Sequence, residues 1–486
     1  MFPKAFMSCV AVAVAVFAGP AESAESADRP PNVVLILVDD LGWRDLGCQG
    51  SAYFETPHVD AIAEQGMRFT QAYAACAVCS PTRAAVLTGK YPARLGITDW
   101  IRPRNNRNAK EYELSKTGGY IENAKQPLGT PANRFELDLS HVTLAERLKS
   151  KGYATGHVGK WHLGDPGHFP TDQGFDWNAG GCDFGHPPSY FDPFTSKRHA
   201  QGIPTLPPRK EGEYLADREA DECVNFIRKH SDQPFLLSYW PYEVHTPLQA
   251  KKELIEHYRG KAPDGEQSNP TYAAMVHSMD EAVGRITATL RELELAENTL
   301  IVFSSDNGGL LGPTSNLPLR SGKGYAYEGG LRVPLIVSWP GVVPAGTTSE
   351  FPACSIDLAP TICEAAKVDF PENERDGLSL WKHIVSSGKE SPDRNTLIWH
   401  FPHYRQGRKV EPYSIIRSGD WKLIKYYEGP EFELYDLAAD PSERHNLAEK
   451  KPDLVEKLDG DLSDRLAAMN AKLPKPSNAD QEANRK

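Results

Sequence analysis

An α/β protein built on a large, mostly parallel sheet sandwiched by helices is what the sequence predicts, and three observations predict it. The first is a series of short, unbroken apolar runs at residues 32–38, 153–159, 234–240, 298–305 and 333–339. Strands buried on both faces of a parallel sheet read this way, because neither face needs polar residues. The second is that helical stretches separate the runs: HVDAIAEQGMRF (58–69), TLAERLKSKGY (143–153), ADECVNFIRKH (220–230) and the long segment 271–295. Strand and helix in alternation give a parallel sheet with helices on its faces. The third is a change of pattern near the C-terminus. Residues 413–437 alternate and break at SGD and EGP, as antiparallel hairpins do. The segment 452–469 then places Leu454, Leu458, Leu462 and Leu466 on one helical face.

The expected organisation follows. Residues 1–27 read as a secretory signal peptide: Lys4, then the apolar run AFMSCVAVAVAVFAG, then the small, polar PAESAESA. Residues 28–380 form the main α/β domain, 381–470 a smaller domain of antiparallel sheet and helix, and 471–486 a polar, disordered tail. No later run is apolar enough to span a bilayer. The mature chain is therefore expected to be exported, to a periplasm or the extracellular space. Its formal charge of −11 excludes nonspecific nucleic-acid binding, which needs a basic surface.

Four of the apolar runs deliver chemistry-bearing residues at their carboxyl ends. The first ends at Asp39 and Asp40, the second at Lys160 and His162, the third before His245, the fourth at Asp306 and Asn307. In an open α/β sheet the ligand sits outside those ends, so all of these share one rim. Adjacent acids at a buried strand end repel unless a cation lies between them. The donors Asp39, Asp40, Asp306 and Asn307 are all oxygen, which suits calcium or magnesium and not zinc.

The stretch CAVCSPTRAAVLTG (76–89) holds two of the eight cysteines, three apart. A structural zinc site needs two further ligands at matched spacing, and none follows. A thioredoxin-like pair belongs to a small βαβ domain, which this is not. Cys79 instead opens the pattern Cys-x-Pro-x-Arg, just ahead of a helix whose first turn suits Pro81 and whose amides favour an anion.

That block, with PNVVLILVDDLGWRDLGCQGS, YATGHVGKWHLG, FSSDNGG and ELYDLAADPSERHNLA, resembles the formylglycine-dependent (type I) sulfatases of the alkaline phosphatase superfamily. The five blocks occur in the family's order across residues 31–450. The resemblance implies an alkaline-phosphatase-like fold and hydrolysis of sulfate monoesters. It implies that a formylglycine-generating enzyme or its equivalent oxidises Cys79 to an aldehyde, whose hydrate attacks sulfur and later expels sulfate. It implies one Ca2+ held by Asp39, Asp40, position 79, Asp306 and Asn307. Arg83 would orient the hydrate and Lys160 would contact sulfate. His162 would take the hydrate's proton, and His245, assisted by Lys323, would protonate the leaving alcohol.

A sulfated carbohydrate is the expected partner, by export and by analogy. Long loops at 99–140 and 164–212 follow site elements, where specificity segments belong. Within and near them Arg102, Arg104, Arg107, Trp177, Tyr190 and His403 are the candidate substrate contacts. Formylglycine-dependent phosphonate monoester or phosphodiester hydrolysis is the enzymatic alternative. A non-catalytic receptor for sulfated glycans is the other, although a receptor has no need of the Cys-x-Pro-x-Arg frame.

Overall fold

The computed structural model describes Met1 and residues 29–104, 108–405, 409–429 and 431–477. The leader and Arg107 lie outside the described residues. The central sheet contains nine strands: β1 (Asn32–Val38), β2 (Gly66–Tyr73), β3 (Ala154–Gly159), β4 (Trp177–Ala179), β5 (Phe235–Trp240), β6 (Thr299–Ser305), β7 (Arg332–Ser338), β8 (Thr347–Ser349) and β9 (Ala353–Cys354). Across the sheet the order is β8-β2-β7-β6-β1-β5-β3-β4, with β9 also on β2. At its centre β1 pairs in parallel with β6 on one side and β5 on the other, and β5 with β3. The four strands with chemistry at their ends are thus consecutive neighbours, and their carboxyl ends do share one rim.

Every residue of β1, β5 and β6 is buried. Successive side chains of a strand point to opposite faces, so β1 feeds two cores: Val34, Ile36 and Val38 on one side, Val33, Leu35 and Leu37 on the other. Flanking helices are α1 (Pro57–Glu64), α2 (Cys79–Thr88), α3 (Leu144–Lys149), α4 (Leu215–Lys229), α5 (Pro270–Glu292) and α6 (Leu358–Ala365). Helices α1, α4 and α5 cover the first face, and α2, α3 and α6 the second.

Two differences from the sequence reading have physical causes. The helical stretch read over 58–69 ends at Glu64, and residues from Gly66 join the sheet as β2. The strands that pair with β2 lie some 260 residues later, beyond the reach of any local pattern. The run at 333–339 is a strand, but β7 is antiparallel to both neighbours. A strand buried on both faces looks the same whichever way it runs.

The C-terminal sheet is antiparallel in chain order: β10 (Thr396–Phe401), β11 (Tyr413–Ser418), β12 (Trp421–Tyr426) and β13 (Phe432–Asp436). Strand β10 precedes the alternating segment and adds an edge that the sequence reading did not contain. Helix α7 (Pro452–Ala468) packs Leu458, Leu462 and Leu466 on Ile416, Leu423 and Leu434. The tail is ordered at its start: Lys475–Pro476 pair with Leu128–Gly129, because an exposed edge there offers unpaired backbone groups.

A buried ion network joins the two sheets. Lys422 of β12 lies 3.0 Å from Glu328 and 2.7 Å from Glu443, and all three side chains are almost wholly buried. Glu328 also pairs with Arg332, and a carboxylate oxygen of Glu443 accepts the Glu328 backbone N–H. Glu443 belongs to the ELYDLAADPSERHNLA block, so that block anchors the C-terminal sheet to the main one. No helix among the described residues is long and apolar enough to cross a membrane.

Candidate active site

Asp39 and Asp40 leave the end of β1 together, and Asp40 sits in the left-handed region at φ 61°. Backbone strain of this kind is held at functional sites by the surrounding structure. It is held here because Asp39 exchanges backbone hydrogen bonds with the segment after β5: its N–H donates to Glu243 O (3.0 Å), and its O accepts from Val244 (2.8 Å). The Asp40 N–H donates to Asp306 Oδ1 at 3.2 Å, tying the end of β1 to the end of β6.

Cys79 is the first residue of α2, and the whole helix is buried. One turn later, Arg83 donates from Nε to Asp306 Oδ2 (2.8 Å) and from Nη1 to the Lys160 carbonyl (2.8 Å). Lys160 extends to Asp39 Oδ2 at 2.7 Å. Lys323 reaches in from the loop before β7, its Nζ 2.5 Å from Asp40 Oδ1 and 3.3 Å from Cys79 Sγ. That Sγ marks the position an aldehyde oxygen would take if residue 79 were oxidised.

The two histidines are oriented by their backbone partners. His245 donates from Nδ1 to Thr246 O (2.8 Å), which leaves Nε2 facing Asp40 Oδ2 at 3.6 Å. His162, at φ 61°, donates from Nε2 to Ile101 O (2.6 Å), and its Nδ1 is buried without a partner. Burial, together with neighbouring lysines, pushes both imidazoles well below the ordinary histidine pKa. Each therefore favours its neutral form and keeps one ring nitrogen without a hydrogen.

Burial also pushes the Asp39 carboxyl up to about 7 against the pull of Lys160, and lifts the Cys79 thiol to about 11. Asp40 is held below the usual carboxylate range: burial raises it, but Lys323, His245 and Lys160 outweigh that. A thiol with so high a pKa is almost wholly protonated at neutral pH and is a poor nucleophile.

Ligand atoms of Asp39, Asp40, Cys79 and His245 lie within 4.8 Å of one another. Three oxygens in the cluster, Asp39 Oδ1, Asp40 Oδ2 and Asn307 Oδ1, are buried and accept no hydrogen bond. Orphaned oxygens of this kind are costly unless something positive meets them. An oxygen-seeking divalent cation fits that donor set. Asp306 differs, since both its oxygens already receive donors, from Asp40 N–H and Arg83 Nε.

Gly308 lets Asn307 take its place. A Cβ at 308 would fall 1.9 Å from the Gly329 carbonyl oxygen, a backbone atom that cannot step aside. Gly308→Ala is expected to displace Asn307, cutting kcat/KM on a sulfate ester at least about tenfold and lowering the melting temperature. Steady-state kinetics and a thermal melt on the same preparation check both.

The ten residues named for catalysis and metal binding thus converge on one place. Of the six named for substrate, Arg107 lies outside the described residues, and the other five do not line the cleft. Arg102 pairs with Glu111 at 2.5 Å, and Arg104 lies in a backbone contact with Asp183. Trp177, in β4, stacks on Phe226, and His403 is buried against Thr98. Tyr190 is fully buried, its hydroxyl donating to the Tyr242 and His245 carbonyls. The cleft above Cys79, about 360 Å³, is lined instead by Trp100, Phe184, His186, Arg198, His199 and Arg405 among others. All but Arg405 belong to the two long loops flagged by their composition. Within such loops nothing local tells a lining residue from a solvated one.

The Sulfatase family model matches residues 31–368, and the model for the C-terminal region of N-sulphoglucosamine sulphohydrolase matches residues 321–472. A sulfatase of Formosa agariphila is 32% identical, over 93% of this chain and 91% of its own length. Human arylsulfatase A is 31% identical, over 86% and 83%. Among solved structures, Ps i-CgsB in complex with k-i-k-neocarrahexaose superposes with a TM-score of 0.74 at 31% identity, covering 90% of this chain and 93% of that one. With the site geometry these matches leave one assignment: the chain belongs to the sulfatase family, with an alkaline-phosphatase-like fold, and is a sulfuric ester hydrolase.

Proposed function

We propose that the chain removes sulfate from a sulfated saccharide outside the cytoplasm, using formylglycine at position 79 and one calcium ion. The observation that carries this reading is the setting of residue 79. It heads a buried helix, with Lys323 Nζ 3.3 Å away and Asp39, Asp40 and His245 gathered around it. The neocarrahexaose bound by Ps i-CgsB supports a saccharide substrate, and the leader at 1–27 supports export.

Each side chain has a task consistent with its position. Lys160 and Lys323 supply fixed positive charge where sulfate oxygens carry negative charge. Arg83, locked between Asp306 and the Lys160 carbonyl, holds the start of α2 against the metal-binding strand ends. His245 opens on the cleft through Nε2 and, once that nitrogen carries a proton, would deliver it to the leaving oxygen with Lys323 assisting. His162, whose Nδ1 has no hydrogen-bond partner among the described residues, would take the hydrate's proton as sulfate leaves. Asp39, Asp40 and Asn307 would hold the cation, with Asp306 supporting them. A bound calcium would draw charge off the sulfate oxygens, and the aldehyde would supply a hydrate able to attack and to release sulfate.

Sulfate release from sulfated oligosaccharides, measured beside phosphonate and phosphodiester controls, tests the reaction. Turnover of the phosphorus esters alone would favour the alternative hydrolase. EGTA should suppress sulfate release by at least about tenfold, and added calcium should restore it. Activity indifferent to chelation would remove the metal from the reading. Mass spectrometry of the peptide holding residue 79, from protein made in its own host, should show the aldehyde in place of the thiol.

A further inference from the structure

We propose that the cleft recognises a second anionic group on the substrate, beside the ester being cleaved, through Arg198 and Arg405. The inference rests on the sulfatase reading for the first group and goes beyond it in naming the second. The chain has 65 acidic residues against 54 lysines and arginines, yet no aspartate or glutamate is among the described residues lining the cleft. Its charged lining is Lys323, Arg198 and Arg405.

Arg405 is half-buried and held in place. Its Nη1 donates to the Lys323 carbonyl at 2.8 Å. Residue 324 sits at φ +87°, which favours glycine, and a Cβ there would fall 1.2 Å from that nitrogen, so a side chain at 324 would displace Arg405 from this position. Neither Arg405 nor Arg198 forms an ion pair among the described residues, in contrast to Arg102, which Glu111 neutralises. A guanidinium anchored on the Lys323 carbonyl at the cleft wall, with donors to spare, presents positive charge that an anion would meet. Its planar fork suits sulfate or carboxylate, both of which accept two parallel hydrogen bonds. Trp100, 38% exposed at the same cleft, offers a flat apolar surface for the C–H face of the sugar that carries both groups.

The test uses three disaccharides sharing the scissile sulfate: one with no other charge, one with a second sulfate and one with a carboxylate. The wild-type enzyme should prefer at least one doubly charged form by about tenfold to a hundredfold in kcat/KM. Comparing the two forms tells sulfate from carboxylate. Arg405→Ala and Arg198→Ala should each shrink that preference, mainly through KM, and Arg405→Lys should retain part of it. Arg198 is exposed, so its variant tests the proposal even if Arg405→Ala folds poorly. Calorimetric binding of the same three sugars to Cys79→Ser protein reads the preference without turnover. Absence of sulfate release by wild type would overturn the sulfatase reading alone. Equal affinity for all three sugars, or a preference unchanged in both arginine variants, would overturn the second-anion subsite.

Discussion

Cys79→Ser protein is expected to lose at least about a thousandfold of its multiple-turnover sulfate release while keeping its fold. Cys79 is 3% exposed, and serine is close to it in size, so the helix start and the metal-binding carboxylates should stay where they are. A hydroxyl at 79 can attack sulfur, but it has no second hydroxyl with which to expel sulfate again. Sulfate release over many turnovers measures the loss, and calcium titration by calorimetry checks that the site survives. Near wild-type turnover would end the covalent role of residue 79.

Replacing Lys422 should give the largest loss of stability. Lys422 is the cation shared by Glu328 and Glu443, and all three are buried. Lys422→Met leaves Glu443 without its cation and Glu328 with Arg332 as its remaining ion-pair partner, which should cost about 3–5 kcal/mol in chemical denaturation. Adding Glu443→Gln to that variant should recover part of the loss, because the orphaned charge is gone.

The same network gives a pH dependence with a definite sign. Burial pushes Glu443 up to about 7 from an ordinary 4.5, with Lys422 opposing. The folded state holds that proton more tightly than the unfolded one. Its contribution is therefore full below pH 4.5 and is lost as pH rises to about 7. Glu328 runs the other way: burial raises it, but Lys422 and Arg332 hold it down to about 2. Its contribution is present above pH 4.5 and lost as pH falls toward 2. Glu443→Gln should thus flatten the decline in stability between pH 4.5 and 7 and leave the acid limb in place. Denaturant midpoints across pH 3–8 would show it, and an unchanged slope would refute the assignment.

The central strands and the residues at their ends were legible because both are local properties. An unbroken apolar run marks a strand buried on two faces, and the polar residues that follow it must emerge at the rim. Cys79 and Arg83 were legible through the Cys-x-Pro-x-Arg motif and its resemblance to the sulfatases, with helical spacing placing them one turn apart. The direction of β7, the existence of β2 and the pairing of Lys475–Pro476 depend on partners far away in the chain, and local pattern carries no record of them.

The sequence by itself determined the fold class and the rim, because hydrophobic periodicity and strand-end placement obey short-range rules; Cys79, Arg83 and Lys323 were implied by the resemblance of their motifs to the sulfatases. Only the tertiary structure decided the walls of the cleft. Trp177 and Arg102 have the chemistry of sugar and anion contacts but are used up by Phe226 and Glu111. Arg405 has the same chemistry and forms no ion pair among the described residues, because Gly324 and the Lys323 carbonyl, some 80 residues away, fix it at the cleft. Whether a charged side chain is spent on its neighbours or left for a ligand is settled by the packing of distant segments.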